Sequence, residues 1–177
     1  QETPIHIASV SKVLTATAVL ILIDRKDIDL NQKVNTILDN FPYPDITVAT
    51  LLNHRSGLRN YAYFIEDKGV WDLHNTITNQ DILNLFTEKN IQIKSKTDTR
   101  FSYCNTNYAM LALIIEKITG VSYPQAMQEM IFKPLGMTNT YVFEYDKDLE
   151  TAIPSYKGNN MRLAYDYLDA VYGDKNI

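Results

Sequence analysis

The sequence has a single cysteine, Cys104, so a disulfide within the chain is impossible and a cysteine-rich zinc cluster is excluded. The three histidines, His6, His54 and His74, lie far apart and lack the HExxH spacing of a zinc-binding helix. No run of Lys and Arg residues is present, and the net charge is −4. Nucleic acid is therefore not expected as a partner.

Long hydrophobic runs are also lacking. The longest apolar stretch, residues 13–23, is shorter than the roughly 20 residues that a membrane-spanning helix needs, and we interpret it as a buried core helix. The polar start, residues 1–6, does not have the pattern of a signal peptide. No linker or break in composition interrupts the 177 residues, which predicts a single domain over residues 1–177.

Hydrophobic periodicity predicts a mainly helical chain. The predicted helices span residues 9–26, 32–38, 47–54, 79–89, 105–119 and 122–132. Because the first helix is apolar on almost every side, we expect it to be central and buried. Residues 60–78 are predicted to form a long packed loop, residues 90–102 an extended or looped segment and residues 141–143 a short strand, with no clear element over 144–177.

Candidate capping residues mark several of these helix ends. Side chains that accept a hydrogen bond from the first turn are expected at Ser9 or Ser11, Thr47, Asn79 and Ser122. Asn105 or Thr106 is expected to open the 105–119 helix, with Gly120 just past its end. Gly57 is expected to end the 47–54 helix in the left-handed conformation.

The segment Ser9-Val-Ser-Lys12 is the first candidate for chemistry. A serine hydroxyl needs a nearby base to become a nucleophile, and a lysine three residues later on a helix faces the same side. The start of a helix also favours negative charge that develops on a bound carbonyl oxygen. On spacing alone, a capping serine followed by a surface lysine is the commoner explanation of such a short motif.

The second candidate is Tyr103-Cys-Asn105, at a predicted junction between a loop and a helix. A tyrosine beside a Ser–Lys pair can transfer protons, and an asparagine can bind the lysine and a substrate amide together. The alternative is a packed tyrosine next to an asparagine that caps the helix. Asn105 can serve as a cap and as a site residue together.

Four segments resemble one known family in order along the chain. They are IASVSKVLTA at 7–16, LLNHRSGL at 51–58, FSYCNTNY at 101–108 and IFKPLGMTNT at 131–140. These are similar to the nucleophile helix, the Leu-Leu-x-His-x-Ser-Gly-Leu segment, the Tyr-x-Asn motif and the Pro-Leu-Gly-Met segment of the serine β-lactamase and penicillin-binding-protein family. That family groups class C β-lactamases, DD-peptidases and related esterases.

The resemblance implies a role for each candidate. Ser9 would attack a carbonyl and become acylated, and Lys12 would accept its proton. Tyr103 would assist the leaving group and then activate water, while Asn105 would orient Lys12 and bind the substrate's amide. The Ser9 backbone N–H would form half of the oxyanion hole. No metal or organic cofactor is needed, and a small-molecule or peptide-like substrate is expected, with an amide, β-lactam or ester bond.

The resemblance also implies a fold and a location. The fold is an α/β (α+β) sandwich of the β-lactamase and transpeptidase kind, in which helices pack on an antiparallel sheet. Family members imply export to the periplasm or cell surface.

The sequence departs from the family pattern in three places. The later Lys-Thr-Gly or His-x-Gly strand is missing, because Lys96-Thr97-Asp98 lacks the glycine and precedes Tyr103. The strands that precede the nucleophile helix are also missing. We therefore expect a fragment truncated at both ends, mainly the helical region without most of the sheet. Thr97-Asp98 stands where the family usually has Pro-Gly, which puts the local turn in doubt.

Other interpretations remain open at this point. The chain could be a catalytically inactive binding or regulatory protein that kept the fold, or an inactive fragment with exposed apolar helix faces. We interpret Cys104 as a small buried residue and His54 as a hydrogen-bonded packing residue rather than a nucleophile and its base. The aromatic residues of the long loop either line a cleft or form its packing core; they are Tyr61, Tyr63, Phe64 and Trp71.

Overall fold

The computed structural model describes residues 5–148 of the chain, and these residues form a helical assembly. Seven α-helices occur in the described residues: α1 Ser11–Asp24, α2 Val48–Leu52, α3 Tyr61–Phe64, α4 Asn79–Glu88, α5 Asn105–Thr119, α6 Tyr123–Met127 and α7 Tyr145–Asp148. Two 3₁₀ turns, Ala8–Val10 and Val34–Thr36, and a π-helical turn, Gln128–Phe132, complete the elements.

The core is built around α5, which packs against α1, α2, α4 and α6. Its side chains Met110, Leu111, Ile114 and Ile115 are fully buried. Gly120 follows the helix, as predicted, and has the left-handed conformation, with φ of 73°. This central helix begins at Asn105, so the core directly fixes one end of the candidate site.

Helix α1 is not the all-round buried helix that its composition predicted. Ala18, Val19 and Leu22 are buried on the side that faces α5 and α6. Val13 and Leu20, by contrast, are 65% and 53% exposed. The described residues offer nothing for this outer face to pack against. In the expected parent fold, a sheet would cover it.

Helix caps are strong local signals, and two of them form complete capping boxes. At Thr47 the hydroxyl accepts from the Thr50 backbone N–H while the Thr50 hydroxyl accepts from the Thr47 N–H, as predicted for this helix start. At α4 the cap is Thr78, paired with Asp81, rather than the predicted Asn79. The capping residue lies one position earlier because Asp81 completes the box with Thr78.

Other predicted caps are wrong. Helix α1 is preceded by a 3₁₀ turn, and Ser11 donates to the Ala8 carbonyl at 2.6 Å instead of capping it. Ser122 precedes α6 without a side-chain hydrogen bond, and Cys104 rather than Asn105 precedes α5. Gly57 has the predicted positive φ of 81°, but α2 ends before it, at Leu52.

The loops also differ in part from the prediction. Within residues 5–148 the only strand-like pairing is an isolated antiparallel bridge between Lys33 and Thr47, and residues 141–143 are not a strand. The predicted helix at 32–38 is a short 3₁₀ turn, and the long loop at 60–78 contains α3. The 122–132 helix divides into α6 and the π-helical turn. Helix α7 lies where no element was predicted, and residues 149–177 lie outside the described residues.

Two segments near the candidate site, residues 55–57 and residues 94–98, are joined by backbone hydrogen bonds. The Lys94 N–H donates to the Gly57 carbonyl at 2.7 Å, and the Asp98 N–H donates to the Arg55 carbonyl at 2.8 Å. An ideal Cβ on Gly57 would lie 2.0 Å from the Ser95 carbonyl oxygen, so only glycine fits there. This contact fixes where the 94–98 segment passes the site.

The turn put in doubt by the missing Pro-Gly is nevertheless formed. Asp98 has φ of 62°, the left-handed conformation that glycine adopts easily and Asp tolerates better than most residues. Its carboxylate and carbonyl oxygens both accept from the Arg55 guanidinium at 2.6 Å, which holds the residue in place. The Thr97-Asp98 pair therefore forms a turn here without the proline and glycine of the family pattern.

Candidate active site

Ser9 lies in the 3₁₀ turn Ala8–Val10, immediately before α1, and its side chain is exposed. The preceding residue, Ala8, has φ of 45°, which is unfavourable for a residue with a Cβ. Strain of this kind typically costs about 1–3 kcal/mol and often occurs at functional sites. The turn presents the Ser9 hydroxyl at the end of the helix rather than along its side.

Three predicted side chains meet at the Ser9 hydroxyl. The Lys12 Nζ donates to Ser9 Oγ at 3.1 Å, and the Tyr103 hydroxyl donates to the same oxygen at 2.8 Å. Lys12 is half-buried, and its Nζ also lies 5.1 Å from the centre of the Tyr103 ring. A nucleophile candidate thus has two proton-transfer candidates within hydrogen-bonding distance.

Tyr103 is electrostatically perturbed by these neighbours. Partial burial by itself raises the pKa of Tyr103, but its interactions with Lys12 and Ser9 together outweigh burial, so the pKa lies below its ordinary value. A positive charge close by stabilises the phenolate form. A tyrosine that gives up its proton more easily is better suited to transfer protons near neutral pH.

The buried His54 ring packs against the Tyr103 ring. His54 is 8% exposed, has φ of 59°, and its ring lies 4.6 Å from the Tyr103 ring, centre to centre. Its Nδ1 accepts from the Cys104 backbone N–H at 3.2 Å and faces the Asn107 side-chain amide at the same distance. Both partners present N–H groups, so Nδ1 carries no proton and the imidazole is neutral.

Burial, and then the positive charge of Lys12, lower the pKa of His54. The neutral ring is thus matched to its surroundings. These contacts bear out the interpretation of His54 as a hydrogen-bonded packing residue. Its position beneath Tyr103 makes it part of the site's support.

The buried polar network extends from His54 into α5. The Ser56 hydroxyl donates to Asn107 Oδ1 at 2.6 Å, which orients the Asn107 amide toward His54. Thr106 donates to the Arg59 carbonyl at 2.8 Å and accepts from the Tyr61 N–H at 2.8 Å. Residues 101–104 are therefore fixed by α5 on one side and by the 54–61 segment on the other.

Asn105, the fourth predicted site residue, is placed at the first position of α5. Among the described residues, its buried Oδ1 has no hydrogen-bond partner. The expected contact with Lys12 is thus not made in this structure. An unpaired buried acceptor is costly, so Asn105 is a site residue whose hydrogen bonding the described residues leave incomplete.

Cys104 has the structural role that was predicted for it. The side chain is 2% exposed, and its Sγ donates to the Leu58 carbonyl at 3.5 Å. Burial raises the pKa of Cys104 by more than its hydrogen bonds and the charge of Lys94 lower it. A buried thiol of this kind is a poor nucleophile.

The loop aromatics divide between core and surface. Phe64 is fully buried and Trp71 packs partly against the core, whereas Tyr63 is 72% exposed and lines a cavity beside Tyr103. This cavity has a volume of about 310 Å³ and also borders Arg59 and Lys94. Among the described residues, no group of His, Cys, Asp and Glu side chains could hold a metal ion, and no helix is long and apolar enough to cross a membrane.

Three supporting residues were missed from the sequence: Ser56, Asn107 and Tyr108. Asn107 offered the clearest signal, because it is a polar residue in the apolar helix α5 and is completely buried. Tyr108 lies with its ring centre 5.7 Å from Lys12 Nζ and donates to the Leu52 carbonyl at 3.2 Å. The two tyrosine rings therefore both border the lysine.

Comparison with known proteins places this geometry in context. A family model described as Beta-lactamase matches residues 1–173. The chain is 36% identical to penicillin-binding protein 4* of Bacillus subtilis (strain 168), over 97% of this chain and 41% of that protein. It is 31% identical to a D-aminopeptidase of Brucella anthropi, over 91% of this chain and 30% of that protein.

Solved structures agree at the level of the fold. A penicillin-binding protein from Bacillus halodurans superposes with a TM-score of 0.78 at 24% identity, over 97% of this chain and 51% of that chain. The helices described above therefore share the fold of a β-lactamase and transpeptidase-like protein. The chain spans less than half the length of the two curated relatives named above.

Proposed function

Because the chain belongs to the beta-lactamase family, we propose that it is a serine hydrolase that acts through an acyl-enzyme on Ser9. The observation that carries the proposal is the pair of hydrogen bonds at Ser9 Oγ, from Lys12 Nζ at 3.1 Å and from the Tyr103 hydroxyl at 2.8 Å. Two proton-transfer groups on one serine oxygen are difficult to explain by helix capping, since Ser9 makes no cap.

In the acylation step, Ser9 Oγ forms a bond to the substrate's carbonyl carbon. Its proton passes to Lys12 in the amine form, and the carbonyl oxygen becomes an oxyanion near the start of α1. Collapse of this intermediate breaks the bond to the leaving group. Tyr103, within reach of the same oxygen, passes a proton to that group as it departs.

In the deacylation step, water attacks the Ser9 ester and the product acid leaves. Tyr103 accepts the water's proton in its phenolate form, for which the lowered pKa is favourable. Lys12 returns to Ser9 Oγ the proton that it accepted during acylation, so both groups return to their starting state. The cycle consumes the substrate and one water molecule.

Asn105 is proposed to bind the substrate's amide. Its Oδ1 is buried and lacks a partner among the described residues, and on this proposal the side chain rotates toward the cleft to accept an N–H from the acyl part of a substrate. A peptide-like substrate supplies such an N–H next to the scissile carbonyl. The similarity to a D-aminopeptidase supports an amide or peptide-like substrate, while β-lactams and esters suit the same chemistry.

A second oxyanion donor is the part of the proposal that these residues do not supply. The first is the Ser9 N–H, and the resemblance implies that the other lies on a later strand whose motif is not found among these 177 residues. Loss of one such donor typically lowers the rate about 10²–10³-fold. Assayed as these 177 residues alone, the chain is therefore expected to be acylated slowly. Export to the periplasm or cell surface is proposed from the resemblance to penicillin-binding proteins.

The proposal is tested by intact-mass measurement after incubation with a fluorophosphonate and, separately, with a β-lactam. We expect one adduct per chain, abolished in Ser9→Ala and slowed at least about 100-fold in Lys12→Gln. Ser11→Ala is the matched control and should label at the wild-type rate, because among the described residues the Ser11 hydroxyl bonds to the Ala8 carbonyl and not to Ser9 Oγ, Lys12 or Tyr103. Equal labelling of Ser9→Ala would refute the proposal. If the chain stays unlabelled but a version extended through the missing strand labels, the chain is an incomplete part of an enzyme; if the extended version also stays unlabelled, the non-catalytic alternative takes its place.

A further inference from the structure

We propose that the cavity beside Tyr103 binds a carboxylate on the substrate, with Lys94 as the residue that recognises it. The proposal rests on the proposed function, since it assigns this carboxylate to the molecule that Ser9 attacks. It adds a substrate class: peptide-like or acyl compounds with an anionic substituent on the Tyr103 side of the reacting carbonyl.

The cavity and the candidate active site share one residue, Tyr103. Tyr103 forms part of the cavity wall while its hydroxyl donates to Ser9 Oγ at 2.8 Å. A volume of about 310 Å³ accommodates a substituent of several non-hydrogen atoms. The proposal requires a substrate whose carbonyl lies at Ser9 to extend past Tyr103 into this space.

The charge that lines the cavity is positive, although the chain as a whole has a net charge of −4. Among the residues that the structure describes, Arg59 and Lys94 border it and no acidic side chain does. Arg59 is ion-paired with Asp67 at 3.0 Å, which largely neutralises it. Over residues 5–148, no carboxylate lies within ion-pairing distance of the Lys94 amino group. Lys94 is thus the cation available to a ligand.

Both lining cations are held on fixed backbone. The Lys94 N–H donates to the Gly57 carbonyl at 2.7 Å, and the Arg59 carbonyl accepts from Thr106 at 2.8 Å. Tyr63 lies at the rim and is 72% exposed, so its ring can cover the apolar part of a ligand. A rigid backbone, one available cation and an exposed ring favour an amphipathic anion over a neutral group.

The test measures binding without catalysis, in a Ser9→Ala background. The ligands are glutaric acid monoanilide, which ends in a carboxylate, and its methyl ester, which carries the same amide without the charge. Binding is followed by NMR titration of the ¹⁵N-labelled chain at low salt. We expect the carboxylate to bind about three- to fivefold more tightly, the range typical of an exposed ion pair, with the Lys94 and Cys104 amides shifting.

Charge reversal at this position gives the sharper result. In Lys94→Glu the preference should reverse in favour of the methyl ester, and in Lys94→Gln it should disappear. Lys96→Glu is the matched control, because Lys96 is an exposed lysine two residues away that does not border the cavity. It should keep the wild-type preference.

The possible outcomes separate this inference from the proposed function. Equal binding of the two ligands, no binding of either, or a preference that survives Lys94→Glu would overturn the carboxylate site, whatever Ser9 does. A loss of preference in Lys96→Glu equal to that in Lys94→Glu would also overturn it, because it would indicate general surface charge. If instead the preference behaves as expected while Ser9 does not label, the hydrolase proposal fails and the anion site stands as a binding site.

Discussion

Replacing His54 separates the two ways in which this residue supports the site. His54→Leu fills the buried position with an apolar side chain but removes the acceptor for the Cys104 N–H. His54→Asn places an amide group close to the position of Nδ1, and Asn tolerates the positive φ of 59° at this residue. The Asn variant therefore loses the ring contacts with Tyr103 and Tyr108 but keeps a hydrogen-bond partner.

The magnitudes follow from these contacts. An unsatisfied buried N–H costs about 1–3 kcal/mol. His54 already has a positive φ in the wild type, so Leu adds only the difference between the two residues, about 0.5–1 kcal/mol from the several-fold enrichment of His in the left-handed region. We expect His54→Leu to lower the free energy of unfolding by about 1.5–4 kcal/mol. The lost aromatic contacts in His54→Asn are worth about 0.5–1.5 kcal/mol. Stability should therefore rank wild type, then Asn, then Leu.

Urea denaturation monitored by circular dichroism measures this ranking, and intact-mass labelling measures the site. Since Tyr103 rests on the imidazole ring, both variants should label Ser9 at least about tenfold more slowly than the wild type. If Asn destabilises the chain as much as Leu, the hydrogen bond to Cys104 is not what holds the segment. If labelling is unchanged in both variants, His54 does not position Tyr103.

Three further predictions concern the same region. Tyr103→Phe keeps the ring but removes the hydroxyl, so Ser9 labelling should fall about 10²–10⁴-fold with little change in melting temperature; a rate within threefold of wild type would contradict the assigned role. Gly57→Ala should lower the free energy of unfolding by at least about 2 kcal/mol, because the new Cβ would clash with the Ser95 carbonyl oxygen. Gly69→Ala is the control: Gly69 also has a positive φ, of 77°, but open space around it, so this change should cost only about 1 kcal/mol. Equal costs would show that the contact with Ser95 does not restrict position 57. The pKa of His54 is lower in the folded state than its unfolded value of about 6.5. The stability that neutral His54 contributes is therefore complete above about pH 6.5 and is lost as the pH falls toward the folded pKa. Urea midpoints should drop over this pH window in the wild type and drop less in His54→Asn.

Local features of the fold were readable from the sequence, and the capped helices show why. Thr47 and Gly120 act within one turn of their own positions, so their residue types alone predict the helix ends that the structure has. The predicted cap of α4, Asn79, lies one residue after the observed cap, Thr78. Local sequence does not separate the two, because Asn and Thr are both good capping residues.

Burial was less readable, because it depends on what lies opposite. The composition of α1 predicted burial on every side, yet Val13 and Leu20 are exposed since the described residues pack against only one face. The predicted strand at 141–143 has no partner strand among them either. A strand forms only where another backbone pairs with it.

In the candidate site too, contacts between neighbouring residues could be predicted from the sequence and contacts between distant residues could not. Ser9 and Lys12 are three residues apart, so their hydrogen bond follows from local geometry. The contact from Tyr103 to Ser9 joins residues 94 apart, and only the resemblance to a known family led to that expectation. The acceptor role of His54 toward Cys104, across 50 residues, had no local signal in the sequence.

The central claim is that Ser9, and no other residue, is the nucleophile, and locating the adduct tests it most directly. After fluorophosphonate labelling, trypsin releases a peptide of residues 1–12, which contains both Ser9 and Ser11. Tandem mass spectrometry of this peptide distinguishes the two serines. The account predicts that the added mass lies on Ser9, and an adduct on Ser11, on Cys104 or on a surface lysine would contradict it.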